Sequence, residues 1–172
     1  MAGKKVIDQY CNIAAVKPTE ASAGTAVYEK FAFPFSIMDK MALLISRIEY
    51  LFGSLQNLNS GTDYVLSGLS VSSNVSDLTI QSDPAVIDSC RIARYDFGTA
   101  ASGMLQQQPL IKDFSSLPGG GLLVAPNPLY GFCLSSGAGG VMLCWIRMYY
   151  TYMELSSDEY WQLVESRRVI SS

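Results

Sequence analysis

Short segments rich in β-branched and aromatic residues, cut at near-regular intervals by clusters of Gly, Pro, Asn, Asp and Ser, run through most of this chain. That punctuation limits the fold more than any other feature, because runs of this length and composition form strands that must pair with one another. Val6–Ala15 is the first segment, and Lys17–Gly24, with Pro18 and Gly24, is a connection. Ala26–Phe35 follows, with Val27, Phe31 and Phe33 on one face, and then Leu43–Phe52. Gly61 and Asp63 mark a turn before Tyr64–Ser72; Asp88–Phe97 and the short Leu110–Phe114 come next. Gly121–Ser135 and Val141–Leu155 close the series around a turn at Gly137–Gly140. Such a series predicts an all-β, two-sheet antiparallel sandwich or barrel, with its strands within residues 6–155. No helices alternate with the segments, which disfavours a doubly wound parallel sheet. At 172 residues the chain reads as one domain spanning 1–172, long enough to bury roughly 70% of its unfolded surface.

One stretch satisfies two periodicities. Ile37, Met41, Leu44, Ile45, Ile48, Leu51 and Phe52 fit a helical stripe, with Ser36 to cap it and Gly53 to end it. Against this, Arg47 and Glu49 alternate with Ile48 and Tyr50, as a strand requires, placing Leu44, Ile48, Tyr50 and Phe52 on one face with Ser46 among them. A helical turn at Ile37–Met41 running into a strand would reconcile the two.

The other helix signal has no rival. Ser156 is placed as an N-cap, Glu159 answers it three residues on, and Leu155 can staple onto Tyr160. Tyr160, Leu163, Val164 and Arg167 share a side, and Arg167 and Arg168 sit in the last turn, where the helix dipole favours positive charge. One C-terminal helix over about 157–168 is expected.

Composition narrows the function classes. Apolar residues make up 49% of the chain and charged ones 16%, against about 25% charged in an average soluble domain. That balance excludes a disordered chain, and it leaves more surface than usual to be covered by other subunits or by a Ser/Thr/Asn-rich exterior. The net charge of −3 is spread rather than blocked, and no Lys or Arg occurs between Ile48 and Cys90. Only Lys4 and Lys5 near the amino terminus offer anything like a basic arm, so direct nucleic-acid binding is not expected. The longest clean apolar run, Val141–Ile146, is far short of the ~20 residues of a transmembrane span. Lys4 and Lys5 are followed by Val6, Ile7, Asp8 and Gln9 rather than the apolar block of a signal peptide, and the expected site of synthesis is the cytoplasm.

Histidine is absent, which removes the usual base near neutral pH, every Ser–His–Asp or Cys–His arrangement and histidine-ligated metals. Acidic residues lie mainly in turn contexts such as Gly61–Asp63 and Ser82–Pro84, where an Asp side chain bonds its own turn. Gly119–Gly121 is followed by Leu122, Leu123, Val124, Pro126 and Pro128, not by the helix that a phosphate loop needs. Asn74-Val75-Ser76 is a formal glycosylation triplet that would require a secretory route. Cys11, Cys90, Cys133 and Cys144 have no metal-ligand spacing. A hairpin over Leu134–Leu143 would set Cys133 opposite Cys144, close enough for a disulfide, with two packed free thiols as the other reading. The sequence thus predicts no catalytic residues, no cofactor and no metal site, and a protein that is not an enzyme.

Aromatic residues instead gather late: Trp145, Tyr149, Tyr150, Tyr152, Tyr160 and Trp161. On the last strand Leu143, Trp145 and Tyr149 share one face, and Cys144, Ile146, Met148, Tyr150 and Tyr152 the other. A sandwich strand that is apolar on both faces needs a second cover, which is either its own C-terminal helix or a neighbouring subunit. Trp161, Tyr160, Tyr152 and Tyr150 are the candidate contact residues.

The eight-strand count and the long last strands resemble a single jelly-roll viral capsid protein. So does the loop Asp113-Phe114-Ser115-Ser116-Leu117-Pro118-Gly119-Gly120-Gly121 leading into Leu122–Tyr130. The ending Tyr149-Tyr150-Thr151-Tyr152-Met153-Glu154-Leu155-Ser156-Ser157-Asp158-Glu159-Tyr160-Trp161 is similar to chains of small icosahedral viruses of microbes. The resemblance covers most of the chain as an architecture. It implies a virion protein, made in the host cytoplasm, that assembles with copies of itself and with other capsid proteins into a closed shell. The missing basic arm departs from many such proteins and suits an inner face that meets another protein layer or a membrane. A non-viral β-sandwich module that binds carbohydrate or protein would share the fold, and a histidine-free carboxylate enzyme would need two acidic side chains in one cleft.

Overall fold

The computed structural model describes residues 5–6, 10–34, 40–58, 61–74, 83, 85–94, 109–125 and 128–169. Ten strands are described: β1 (Lys5–Val6), β2 (Asn12–Val16), β3 (Val27–Lys30), β4 (Met41–Gly53), β5 (Tyr64–Ser70), β6 (Val86–Ala93), β7 (Leu110–Asp113), β8 (Leu122–Val124), β9 (Tyr130–Ser136) and β10 (Leu143–Glu154). Helix α1 (Ser157–Val169) follows the last of them. In sheet A, β10 and β4 pair along nearly their whole length; β1 and β2 share the free edge of β10, and β7 and β8 that of β4. Sheet B runs β3-β9-β5-β6, and every pairing in both sheets is antiparallel. From β2 to β5 the chain changes sheet at each step, stays in sheet B for β6, crosses to sheet A for β7 and β8, and crosses twice more through β9 and β10. That winding is a jelly roll, in which two antiparallel sheets cover each other's inner faces.

The core lies between the sheets. Leu43, Ile45, Ile48, Tyr50 and Phe52 of β4 and Cys144, Ile146, Met148, Tyr150 and Tyr152 of β10 meet Val65, Leu69 and Cys133 of sheet B, with Phe31 and Leu129 at one end. Burying this much apolar surface stabilises by roughly 25 cal/mol per Å² and needs no staple. A polar pin joins the sheets near their β6 and β7 edges: Tyr50 donates to Asp88 Oδ2 at 2.7 Å, and Lys112 Nζ pairs with Asp88 Oδ1 at 2.6 Å. Burial, and then the Asp88 charge, push the Tyr50 hydroxyl well above the usual tyrosine range.

The ambiguous stretch is strand, not helix, from Met41 onward, and residues 35–39 lie outside the described residues. Its faces differ from the simple alternation. Tyr149 pairs with Arg47 but Tyr150 with Ile45, so Ser46 is an extra residue, a β-bulge whose hydroxyl donates to Tyr149 O at 3.3 Å. Inward positions therefore step from Leu43 and Ile45 to Ile48, Tyr50 and Phe52, and Leu44 faces outward rather than sharing a face with Ile48. A three-residue step between apolar positions is what gave this strand its helical look.

Three further expectations are corrected. Val6–Ala15 is two strands, β1 and β2, and Gly121–Ser135 is also two: β8 joins sheet A and β9 joins sheet B. Leu134–Leu143 is no hairpin, because it carries the chain from one sheet to the other. The buried Glu20 carboxylate fixes this crossing: it accepts from Ser135 N at 2.6 Å, Ser135 Oγ at 2.9 Å and Met142 N at 2.9 Å. Cys133 consequently pairs with Val27 and Ser67, and Cys144 with Phe52, so the two are not cross-strand neighbours. Cys90, Cys133 and Cys144 are buried free thiols. Desolvation raises all three, Cys144 to about 12, which keeps them neutral and unreactive.

Candidate interaction surface

Strand parity decides where the aromatic residues go. Tyr150 and Tyr152 point into the core, their hydroxyls 3.2 Å apart, with Phe33 edge-on to Tyr150 at 5.7 Å between ring centroids. Tyr160 is on the buried side of the helix, facing Ala42. These three are 6%, 9% and 2% exposed, so their rings are taken up within the chain's own fold, whereas Trp161 is 52% exposed. Of the four candidate contact residues the structure leaves Trp161 on the surface.

Helix α1 starts as its sequence requires. Glu159 N donates to Ser156 Oγ at 3.3 Å, and the Glu159 carboxylate accepts from Ser156 N at 3.1 Å. This reciprocal cap aims the helix back across the outer face of sheet A. There Tyr160, Leu163 and Val164 pack with Leu155 on Ala42 of β4 and Leu123 of β8. Among the described residues, that end of the face is the covered one.

Beyond the bulge the same face is open. Pairing sets out its outward rows: Trp145 beside Leu51; Ala15, Arg147, Glu49 and Ile111 across four strands; then Ile13, Tyr149, Arg47 and Asp113. At the centre the Glu49 carboxylate draws in Arg47 through Nη2, Arg147 Nη1 at 3.6 Å and the Tyr149 hydroxyl at 3.3 Å. Lys17 Nζ lies 4.8 Å over the Trp145 ring, and the Arg47 guanidinium 5.2 Å over Tyr149. Arg47 Nε is buried without a hydrogen-bond partner among the described residues. Hydrogen bonds from Ser115, then the Arg47 charge, hold Asp113 below the usual carboxylate range. Around this charged centre stand Ile13 (58% exposed), Ile111 (55%) and Trp145 (41%).

Among the described residues, sheet B's outer face is covered by its own side chains. Phe132 lies across Gly68, where an added Cβ would fall 2.7 Å from the ring, and with Leu66 it packs against Tyr28, Tyr64, Val86 and Leu134. Arg91 caps Tyr64 from 3.9 Å.

Other large apolar side chains are exposed elsewhere: Tyr10 before β2, Leu110 on β7, Leu117 in the turn after it, and Val141 in the crossing loop. Ile13, Ile111 and the Arg47–Glu49–Arg147 cluster were not singled out from the sequence. The alternation of Trp145, Arg147 and Tyr149 signalled an outward row, but only the pairing of β2 and β7 brings the isoleucines to its ends. Among the described residues no group of three or more Cys, Asp or Glu side chains is placed to hold a metal, and no helix is long and apolar enough to cross a membrane.

No family model matches this sequence. Nor does any curated protein. Among solved structures, the chain is similar to one in the X-ray structure of Tomato aspermy virus, at 12% identity and a TM-score of 0.47, covering 91% of this chain and 84% of that one.

Proposed function

We propose that this chain is a structural subunit that associates with copies of itself to build a virion shell. The observation that carries the reading is the distribution of exposed apolar side chains. Tyr10 and Ile13 stand at one edge of sheet A, Leu110 and Ile111 at the opposite edge, Trp145 on its face and Trp161 on the helix. Trp, Tyr and other large apolar side chains are enriched where subunits meet. A dimer needs one patch of such side chains. Contact sites on opposite edges suit an arrangement in which each copy meets several neighbours, and such contacts close into rings or shells when the rotation allows. The jelly-roll winding supports the same role, since it buries its core without help and leaves both edges of sheet A for contacts. In this reading the chain is not an enzyme, and its partners are other copies and other shell proteins.

Light scattering and negative-stain microscopy of the purified chain test the proposal. Uniform closed particles are expected as concentration rises. A species that stays at 18.7 kDa at every concentration would overturn the reading.

A further inference from the structure

Half of sheet A's outer face is a step and half is a recess. The step is helix α1, which stands about 10 Å proud of the strands beneath it. The recess is the open half, four strands wide, or about 14 Å at ~4.8 Å per strand spacing. A helix of 13 residues is about 20 Å long, enough to cross that width.

The two halves also differ in charge. The exposed side of α1 carries Asp158, Trp161 and Glu165, spaced three and four residues apart and therefore aligned as one stripe. Neither acid has an ion pair among the described residues. The recess carries Lys17, Arg147 and Arg47, with the arginine side chains 57% and 41% exposed. Glu49 at its centre is already engaged by both arginines.

We propose that a second copy of this chain fills the recess with its own helix, laying the Asp158–Trp161–Glu165 stripe across Lys17, Arg147 and Arg47, and that the contact is reciprocal about a two-fold axis. Step and recess lie side by side on one face, so such an axis seats each helix in the other copy's recess at once. Trp161 then packs beside Trp145 and the exposed isoleucines, while Asp158 and Glu165 meet a recess in which three cations, Lys17, Arg47 and Arg147, outnumber two acids, Glu49 and Asp113. A phosphate ion is a poorer occupant, because it would leave the exposed Trp145, Ile13 and Ile111 uncovered. The proposal rests on the self-association reading and assigns the surface and chemistry of one of its contacts.

Charge reversal tests it. Arg147→Glu and Asp158→Lys each alter an exposed side chain, and circular dichroism would verify that both variants fold. Each alone is expected to weaken self-association, followed by sedimentation velocity, by about tenfold, because acid faces acid or base faces base twice per joint. Mixing the two variants is expected to restore association to within about threefold, because every pair is again opposite. Association of the native chain should also weaken with added salt. If the native chain assembles and neither reversal alters it, this surface is wrong while the shell reading stands. If the native chain never associates, both fall. If a short single-stranded RNA, but not a second copy, shields the recess, its occupant is nucleic acid and the proposal is overturned.

Discussion

Phe132 lies on Gly68 and is wholly buried, although it points away from the core, whereas Trp145, in a comparable outward position on sheet A, is 41% exposed. The two outward faces of the sandwich thus meet one demand in different ways. Both carry apolar residues that a solvated sheet face would not. Sheet B lays an aromatic ring flat where a glycine leaves room and rings it with Tyr28, Tyr64 and Leu134. Sheet A uses an added helix, which among the described residues covers one end of the face and leaves Ile13, Ile111 and Trp145 exposed on the rest. A face closed by its own side chains is finished in the monomer. One closed by a helix is finished only as far as the helix reaches.

Breaking sheet B's closure should cost the most. Phe132→Ala removes a fully buried ring and should destabilise by about 3–5 kcal/mol in urea unfolding, without changing assembly of the molecules that remain folded. A loss below about 1 kcal/mol would mean that this face is not self-closed. Tyr160→Ala strips sheet A of its cover at Ala42 and Leu123, with an expected loss of about 3 kcal/mol. Hydrogen exchange in α1 should rise, while that in β5 and β9 should not. Ser156→Ala removes half of the reciprocal cap and should cost about 1 kcal/mol, again confined to the helix. The smallest effect on folding belongs to Ile13→Ser combined with Ile111→Ser. Both side chains are exposed, so stability should stay within about 0.5 kcal/mol while light scattering reports loss of assembly.

Much of this contrast was legible in the residues. The capping signal at Ser156 and Glu159 and the Leu155–Tyr160 contact follow from local chemistry alone, and the sandwich follows from strand punctuation. Inward and outward sides of β10 also follow from its alternation. What alternation cannot supply is the number of residues between pairs. The Ser46 bulge moves the core face of β4 by one position, so alternation alone puts Leu44 on the wrong side. Nor can local pattern tell a hairpin from a crossing between sheets. The turn residues at Gly137–Gly140 suit both, and the choice is made by Glu20, more than a hundred positions away in sequence. The open half of sheet A's outer face is the least legible part, because it is assembled from β2, β4, β7 and β10, and no window along the chain contains them together. Tyr150 and Tyr152 are aromatic and late in the chain, but their parity sends them inward.

The chain has two tryptophans, Trp145 and Trp161, and both lie where sheet A's outer face is expected to meet another copy. Acrylamide quenching of their fluorescence, followed as the native chain is concentrated from monomer to assembly, reads that face directly. Quenching should fall and emission should shift to the blue in step with the rise in mass. Assembly with unchanged quenching would mean that copies meet elsewhere and that the open half of sheet A remains in water.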